Sequence, residues 1–219
     1  MIVDQSAKLS YVELVLDSTT FRQTRNHIAL SSFRLLSELT VANILLSSSL
    51  KYKGSVILQI HGKGIISLAV SECNSAGEFR SIIKENQNNS PKDKNHFYSF
   101  KELVEPRGGG LFVASIKPHN ESKNIYQGIV EINDRGVDCS LENYLNKSEQ
   151  IKSWLKIFVN KDIAKGILLQ ALPGDSSQKL MYDWELLTLG LEQIKTSEII
   201  HNNLDDLLLR KYLKKKLIR

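Results

Sequence analysis

The sequence predicts an α+β fold, in which mixed or antiparallel sheets pack with helices and a helical linker follows. Three observations carry this expectation. Between residues 35 and 70 an apolar helix pattern gives way within a few residues to a strand, turn, strand pattern. Further short alternating stretches recur up to residue 172, separated by loop and turn signals. Beyond Pro173 the pattern becomes purely helical.

Residues 9–17 alternate, with Val12, Leu14 and Leu16 on one face, and Asp17, Ser18, Thr19 and Thr20 then offer caps for a short helix. A long helix is predicted over 31–51, because Leu35, Leu36, Leu39, Ala42, Leu45 and Leu46 at spacings of three and four make one apolar face; Gly54 ends it. Val56, Leu58 and Ile60 next alternate with Ser55, Ile57 and Gln59 in the first arm of a hairpin. Its turn falls at His61, Gly62, Lys63 and Gly64, where the glycines can take the positive φ of a tight connection.

A third strand is expected over 78–84, and the nearly apolar-free stretch 84–95 reads as a solvated loop. A short helix over 99–104 leads through Pro106 and Gly108, Gly109 and Gly110 to strands over 111–117 and 124–132, which should pair. Asp138 opens a helix running through Tyr144, and strands follow over 154–159 and 166–172, the last stopped by Pro173 and Gly174.

Asp175, Ser176, Ser177 and Gln178 then form a polar joint. The chain is accordingly divided into an α+β domain over 1–174 and a helical linker over 175–219. In the linker, Trp184, Leu187, Leu191 and Ile194 recur at helical spacing, as do Leu209, Tyr212, Leu213 and Leu217, giving two amphipathic helices.

With 219 residues and 42% apolar content the chain can bury a substantial core. Its first residues lack an apolar signal-peptide core, and no apolar run approaches the ~20 residues of a membrane helix. A cytoplasmic protein without a membrane partner is expected. The net charge of +5 is concentrated at Arg210, Lys211, Lys214, Lys215, Lys216 and Arg219, with no acid among the last ten residues, so the body is close to neutral. That distribution argues against a specific nucleic-acid surface spread over the fold. An RNA- or membrane-touching last helix is the sharper alternative to a helix docked by its leucines with a solvated lysine face.

Catalytic signatures are missing. His27, His61, His96, His119 and His201 are scattered without metal-ligand spacing. The glycine run at 108–110 is followed by a strand and lacks the Lys-Ser/Thr pair of a phosphate cradle. No Gly-x-Ser-x-Gly elbow occurs, and Asp205 and Asp206 suit the start of a helix better than acid/base work. An enzyme is not expected. Cys73 and Cys139 are too few and too distant for a structural zinc site. Cys139, next to Asp138 at a helix start, could have a lowered pKa and some reactivity; plain packing is the other reading.

Four segments share a pattern. Leu35-Leu36-Ser37-Glu38-Leu39 with Leu50-Lys51-Tyr52-Lys53-Gly54 and Leu58-Gln59-Ile60-His61-Gly62-Lys63-Gly64 resemble the helix-to-hairpin signature of the heat-shock protein 33 family, the redox-regulated holdase chaperones. Tyr126-Gln127-Gly128-Ile129-Val130 is similar to that family's YQG strand, Leu141-Glu142-Asn143-Tyr144 with Ser148-Glu149-Gln150 to its LE-x-Y and SEQ helix, and Leu168-Leu169-Gln170-Ala171-Leu172-Pro173 to its LLQ-x-x-P strand. The family's Arg-Gly pair is not seen around residues 9–15, and Lys165-Gly166 stands where a double glycine is expected.

The resemblance implies the family's N-terminal fold followed by its linker, and an ATP-independent holdase that binds partly unfolded client proteins. Family members normally continue into a Cys-x-Cys and Cys-x-x-Cys domain that binds zinc; Cys73 and Cys139 match none of those positions, so no cofactor and no thiol switch is expected in this chain. The client-binding candidates are the linker stripes, Trp184, Leu187, Leu191 and Ile194 together with Leu209, Tyr212 and Leu213. Ordinary core packing is the alternative for the same residues. A helical arm behind a hinge could also dock on a second copy, giving a homodimer by linker exchange. A non-catalytic interaction domain or a degenerate remnant is the competing reading.

Overall fold

A computed structural model of the protein describes residues 2–3, 7–49, 53–105, 107–119, 124–132, 135–172, 178–202 and 207. Strand β1 (Ile2–Val3) and strand β2 (Ala7–Val15) are followed by helices α1 (Thr19–His27) and α2 (Leu30–Ser49). Strands β3 (Gly54–His61), β4 (Ile66–Asn74) and β5 (Phe79–Glu85) form a meander, and a single 3-10 turn at Gln87–Asn89 interrupts the solvated loop behind it. Helix α3 (Phe100–Val104) leads to strands β6 (Leu111–Pro118) and β7 (Tyr126–Glu131), helix α4 (Val137–Lys147), and strands β8 (Ser153–Val159) and β9 (Ile163–Ala171). Helices α5 (Gln178–Glu192) and α6 (Thr196–His201) complete the described elements.

All strand pairs are antiparallel and fall into two sheets, β1-β2-β9-β8 and β5-β4-β3-β6-β7. Helix α2 lies between them and touches both. The core joins its leucines to Val56, Leu58, Ile60 and Phe112 of the five-stranded sheet and to Leu155, Ile157, Ala164 and Leu168 of the four-stranded one. The periodicity had assigned this helix one apolar face. It is instead buried on nearly every side, including Ser32, Ser37, Thr40 and Asn43. Most of these polar groups find a partner: Ser32 donates to Glu85, Ser37 to the Phe33 carbonyl, Thr40 to the Leu36 carbonyl, and Asn43 Nδ2 to the carbonyl of Ser71 at 2.7 Å, whereas Asn43 Oδ1 has no partner among the described residues.

The hairpin between β3 and β4 is as expected, but its glycines serve another purpose. Neither Gly62 nor Gly64 has a positive φ. A Cβ on Gly62 would lie 2.3 Å from the Ile66 carbonyl oxygen, and one on Gly64 equally close to that of Glu102. Helix α3 folds over the turn, with the Lys63 N–H donating to the Val104 carbonyl at 2.7 Å. Gly54 does not end α2; it opens β3, where a Cβ would meet the Lys117 carbonyl oxygen at 2.3 Å.

The quoted glycines of the later segments are explained in the same way. Gly128 accepts the ring of Tyr144, whose Cε2 would stand 2.4 Å from an added Cβ, so the YQG and LENY segments meet face to face. Gly166 accepts Val41 and Leu45 of α2 at 2.4 and 2.7 Å. Strand β9 starts three residues earlier than the apolar pattern suggested, because Lys165 pairs in register with Glu13, and Ala164 with Leu14.

Candidate functional site

Helices α5 and α6 pack on the face of the four-stranded sheet that α2 does not cover. Alternation along β9 makes this possible: Ala164, Gly166 and Leu168 point to α2, whereas Ile167 and Leu169 point the other way and join Ala7, Leu9 and Phe158 in a second apolar cluster. Trp184, Leu187, Leu191 and Ile194 of the linker stripe all enter that cluster, and Ile199 and Leu207 extend it. Each is buried, Leu191 to 2% exposure. Lys152 covers the Trp184 ring, its Nζ 5.1 Å from the ring centre. The stripe predicted from spacing is therefore brought together, and in this state it is docked. Leu209, Tyr212 and Leu213 lie outside the described residues, as does the 174/175 division of the chain.

Two apolar residues that the stripe does not include remain at the surface of α5, Leu186 at 37% and Leu189 at 56% exposure. Their spacing places them off the docked face, which is why the search for a single stripe passed over them.

At the rim of the interface is an unexpected charge. Lys165 is buried on the linker side of β9, with a side-chain exposure of 4%. Its Nζ lies 2.9 Å from Glu13 Oε2 on β2 and donates to the Asn202 carbonyl just after α6 at 3.1 Å. One ammonium thus ties the linker to the sheet at the position where a second glycine was expected.

A cleft of about 510 Å³ lies beside α2 and β8, and the cations lining it include Arg34 and Lys156. Each has a carboxylate: Arg34 pairs with Glu38 at 2.9 Å, and Lys156 lies 3.7 Å from Asp138. Arg34 also covers the exposed Phe97 ring at 5.6 Å. Burial raises the Glu38 carboxyl above the ordinary glutamate range, partly opposed by Arg34. Burial likewise raises Glu142, which accepts the Leu155 N–H at the edge of β8. A folded-state pKa above the unfolded value means that the native protein holds more protons in the interval between them, so stability rises as pH falls through that interval. Glu142→Gln, which keeps the acceptor for Leu155, is expected to raise the melting temperature at pH above neutrality and to flatten its rise on mild acidification. Melting curves across this range, compared with the unaltered protein, check it.

The cysteines depart from one reading. Burial, followed by the charges of Asp138 and Glu142, pushes the Cys139 thiol up to about 11, so the helix start does not activate it. The Asp138 carboxylate itself caps the Cys139 N–H at 2.9 Å. Cys73 is buried in β4 and raised by that burial. Zinc-binding thiols need the opposite environment, and among the described residues no three His, Cys, Asp or Glu side chains gather as a metal site. Among the described residues, no helix is long and apolar enough to cross a membrane.

Comparison with known proteins agrees with this architecture. A family model described as "Hsp33 protein" matches residues 10–218. The chain is 32% identical over 176 residues to a 33 kDa chaperonin of Chromobacterium violaceum, covering 80% of this chain and 56% of that protein. It is 33% identical over 206 residues to one of Salmonella typhi, covering 91% and 66% respectively. The chain therefore spans little more than half the length of the first of these relatives. A crystal structure of the 33 kDa chaperonin from Thermotoga maritima superposes with a TM-score of 0.77 at 17% identity, covering 96% of this chain and 72% of that one.

Proposed function

Since the chain belongs to the Hsp33 family, we propose that it acts as an ATP-independent holdase, a cytoplasmic protein that binds partly unfolded polypeptides and limits their aggregation. The observation behind this reading is the interface just described. Trp184, Leu187, Leu191 and Ile194 on one side and Ala7, Leu9, Phe158, Ile167 and Leu169 on the other form two complementary apolar surfaces that bury each other. Releasing α5 and α6 opens both at once. Fully burying a side chain of this size contributes roughly 1.5–3 kcal/mol, and a client segment can claim the same contribution from either surface. No bond is made or broken, and no cofactor is required.

Local unfolding of the linker, at a lower cost than global unfolding, is the step that exposes these surfaces. Burial raises the thiols of both Cys73 and Cys139, which supports a step governed by packing and by the Lys165 tie rather than by cysteine chemistry within these residues. The same opening would allow the arm to dock on a second copy.

Light scattering from a heat-denatured client tests the reading. Protection that is equal with and without reductant is expected. Protection that depends on reductant would contradict the switchless mechanism, and a client that precipitates unhindered beside an excess of this protein would contradict the holdase reading. The docked state of α5 favours the competing reading of a folded interaction domain without holdase activity, and hydrogen exchange separates the two. Linker amides that exchange well before those of β3 and β6 support the holdase.

A further inference from the structure

The four-stranded sheet ends at β8, and we infer that the edge of this strand between Ile157 and Val159 is a docking site for an extended peptide of alternating apolar and acidic side chains, added to the sheet as a short fifth strand. The inference goes beyond the holdase reading and does not depend on it, since it concerns the protein with α5 and α6 docked. In an antiparallel ladder, alternate residues turn both N–H and C=O to the partner strand, and the others turn both away. The Ala171 N–H donates to the Lys152 carbonyl at one end of the β8–β9 pair and the Asn160 N–H to the Ile163 carbonyl at the other, which fixes the even-numbered residues of β8 as those facing β9. Ser153, Leu155, Ile157 and Val159 therefore direct their backbone groups away from the sheet.

Sheet edges are ordinarily blunted, and α4 blunts the first half of this one. Asn146 Oδ1 accepts the Ser153 N–H at 3.2 Å, and Glu142 accepts that of Leu155. Four residues of helix advance ~6 Å and two residues of strand ~6.8 Å, so the same ladder next brings Asp138 level with Ile157. There it stops. Asp138 Oδ1 accepts the Cys139 N–H at 2.9 Å and its Oδ2 lies 3.7 Å from Lys156 Nζ. Helix α4 begins at Val137, so no further turn of it reaches Val159. Among the described residues, no group accepts the N–H of Ile157 or Val159 and none donates to their carbonyls.

The unclaimed stretch opens into the cleft of about 510 Å³ beside α2, a volume ordinary for a ligand site. Leu35 of α2 and Thr196 of α6 both line that cleft, so a strand laid along β8 continues the sheet between its two covering layers. Alternation then sorts the side chains of the added strand. Those beside Ile157 and Val159 fall on the α2 side, with Leu35 and Phe100, where apolar residues fit. Those beside Lys156 fall on the linker side, where its side chain is 52% exposed. Arg34, Arg135 and Lys156 outnumber Glu38 and Asp138 in the cleft, so acidic residues are the complement. The same charge disfavours the chain's own basic residues near 210–219 as the occupant.

Fluorescence anisotropy of a dye-labelled peptide of three Val-Glu repeats, titrated with the full chain, tests the assignment. Saturable binding with a Kd on the order of 100 µM is expected. It should weaken about tenfold or more when lysine replaces glutamate in the peptide, and equally when the peptide backbone is N-methylated, which keeps the side chains but removes the strand hydrogen bonds. Lys156→Gln should weaken it several-fold, and Val159→Pro, which removes an N–H that β9 does not use, about tenfold. Circular dichroism checks the fold of both variants, and the N-methylated peptide carries the test if Val159→Pro does not fold. By hydrogen exchange, the Ile157 and Val159 amides should be fast in the free protein and slow about tenfold with peptide, while those of the β5 and β7 edges stay unchanged. Absence of binding, equal binding of the N-methylated peptide, or protection confined to other edges overturns the inference. So do Ile157 and Val159 amides that are already slow before peptide is added, the result expected if a second copy or residues 210–219 occupy the edge. None of these readouts uses client aggregation, so the outcome is independent of the light-scattering test.

Discussion

Gly128→Ala is expected to lower the stability of this protein by about 3 kcal/mol, a fall in melting temperature of roughly 6–12 °C for a chain of this size. The added methyl would sit 2.4 Å from Tyr144 Cε2, far inside contact distance. The ring cannot swing aside cheaply. Tyr144 is fully buried, and its hydroxyl donates to Glu149 Oε1 at 2.6 Å. Gly77→Ala is the control. Gly77, unlike Gly128, has a positive φ, +84°, but an added methyl would meet nothing within 4 Å, so the cost is limited to backbone strain of about 1 kcal/mol. Thermal melts of the two variants should therefore separate clearly. Adding Tyr144→Leu to Gly128→Ala should recover part of the loss, and strictly additive losses would show that the ring is not the obstacle.

The second large effect is expected at the Lys165 tie, and it is asymmetric. Removing one partner of a buried pair is costly chiefly when the partner left behind is buried. Lys165 is buried while Glu13 is close to half exposed. Glu13→Ala strands the ammonium with only the Asn202 carbonyl and should cost about 2 kcal/mol, less than a fully buried pair because water already reaches the carboxylate. Lys165→Met leaves only a solvated carboxylate and fills the same space among Ile167 and Leu169, so its stability should remain within about 1 kcal/mol of the parent. In Glu13→Ala the cheapest relief is to release the residues around Asn202 and let the ammonium reach water. Faster hydrogen exchange in α5 and α6, with β3 and β6 unchanged, is the expected signature. Equal losses from the two substitutions would show that the ion pair, rather than the buried cation, sets the energy.

These two sites also show how far a pattern in the chain reaches. Gly128 was visible as part of a family segment, and Tyr144 as part of another, but nothing along the chain says that one exists to seat the other. Gly62 and Gly64 were assigned to a tight turn on the ordinary behaviour of glycine. Their actual constraint comes from the Ile66 carbonyl across the hairpin for Gly62 and, for Gly64, from α3 some 40 residues onward, whose carbonyls leave no room for a side chain. Lys165 stands just ahead of the strand predicted over 166–172, where a glycine was expected, and nothing local marks it as a buried cation; its two partners come from β2 and from the end of α6. Trp184, Leu187, Leu191 and Ile194 were found from spacing alone, because helical periodicity is a local property.

The order of most elements, the β3–β4 hairpin, the pairing of β6 with β7 and the linker stripe followed from side-chain periodicity and turn chemistry, which act over a few neighbouring residues. Which side of each element faces which layer did not. Helix α2 became an all-round buried layer and the linker stripe a docked interface, because those outcomes depend on contacts between residues far apart in the chain. Burial is a property of the assembled layers, so the same leucine pattern is compatible with core, cover or exposed surface until the second sheet is in place.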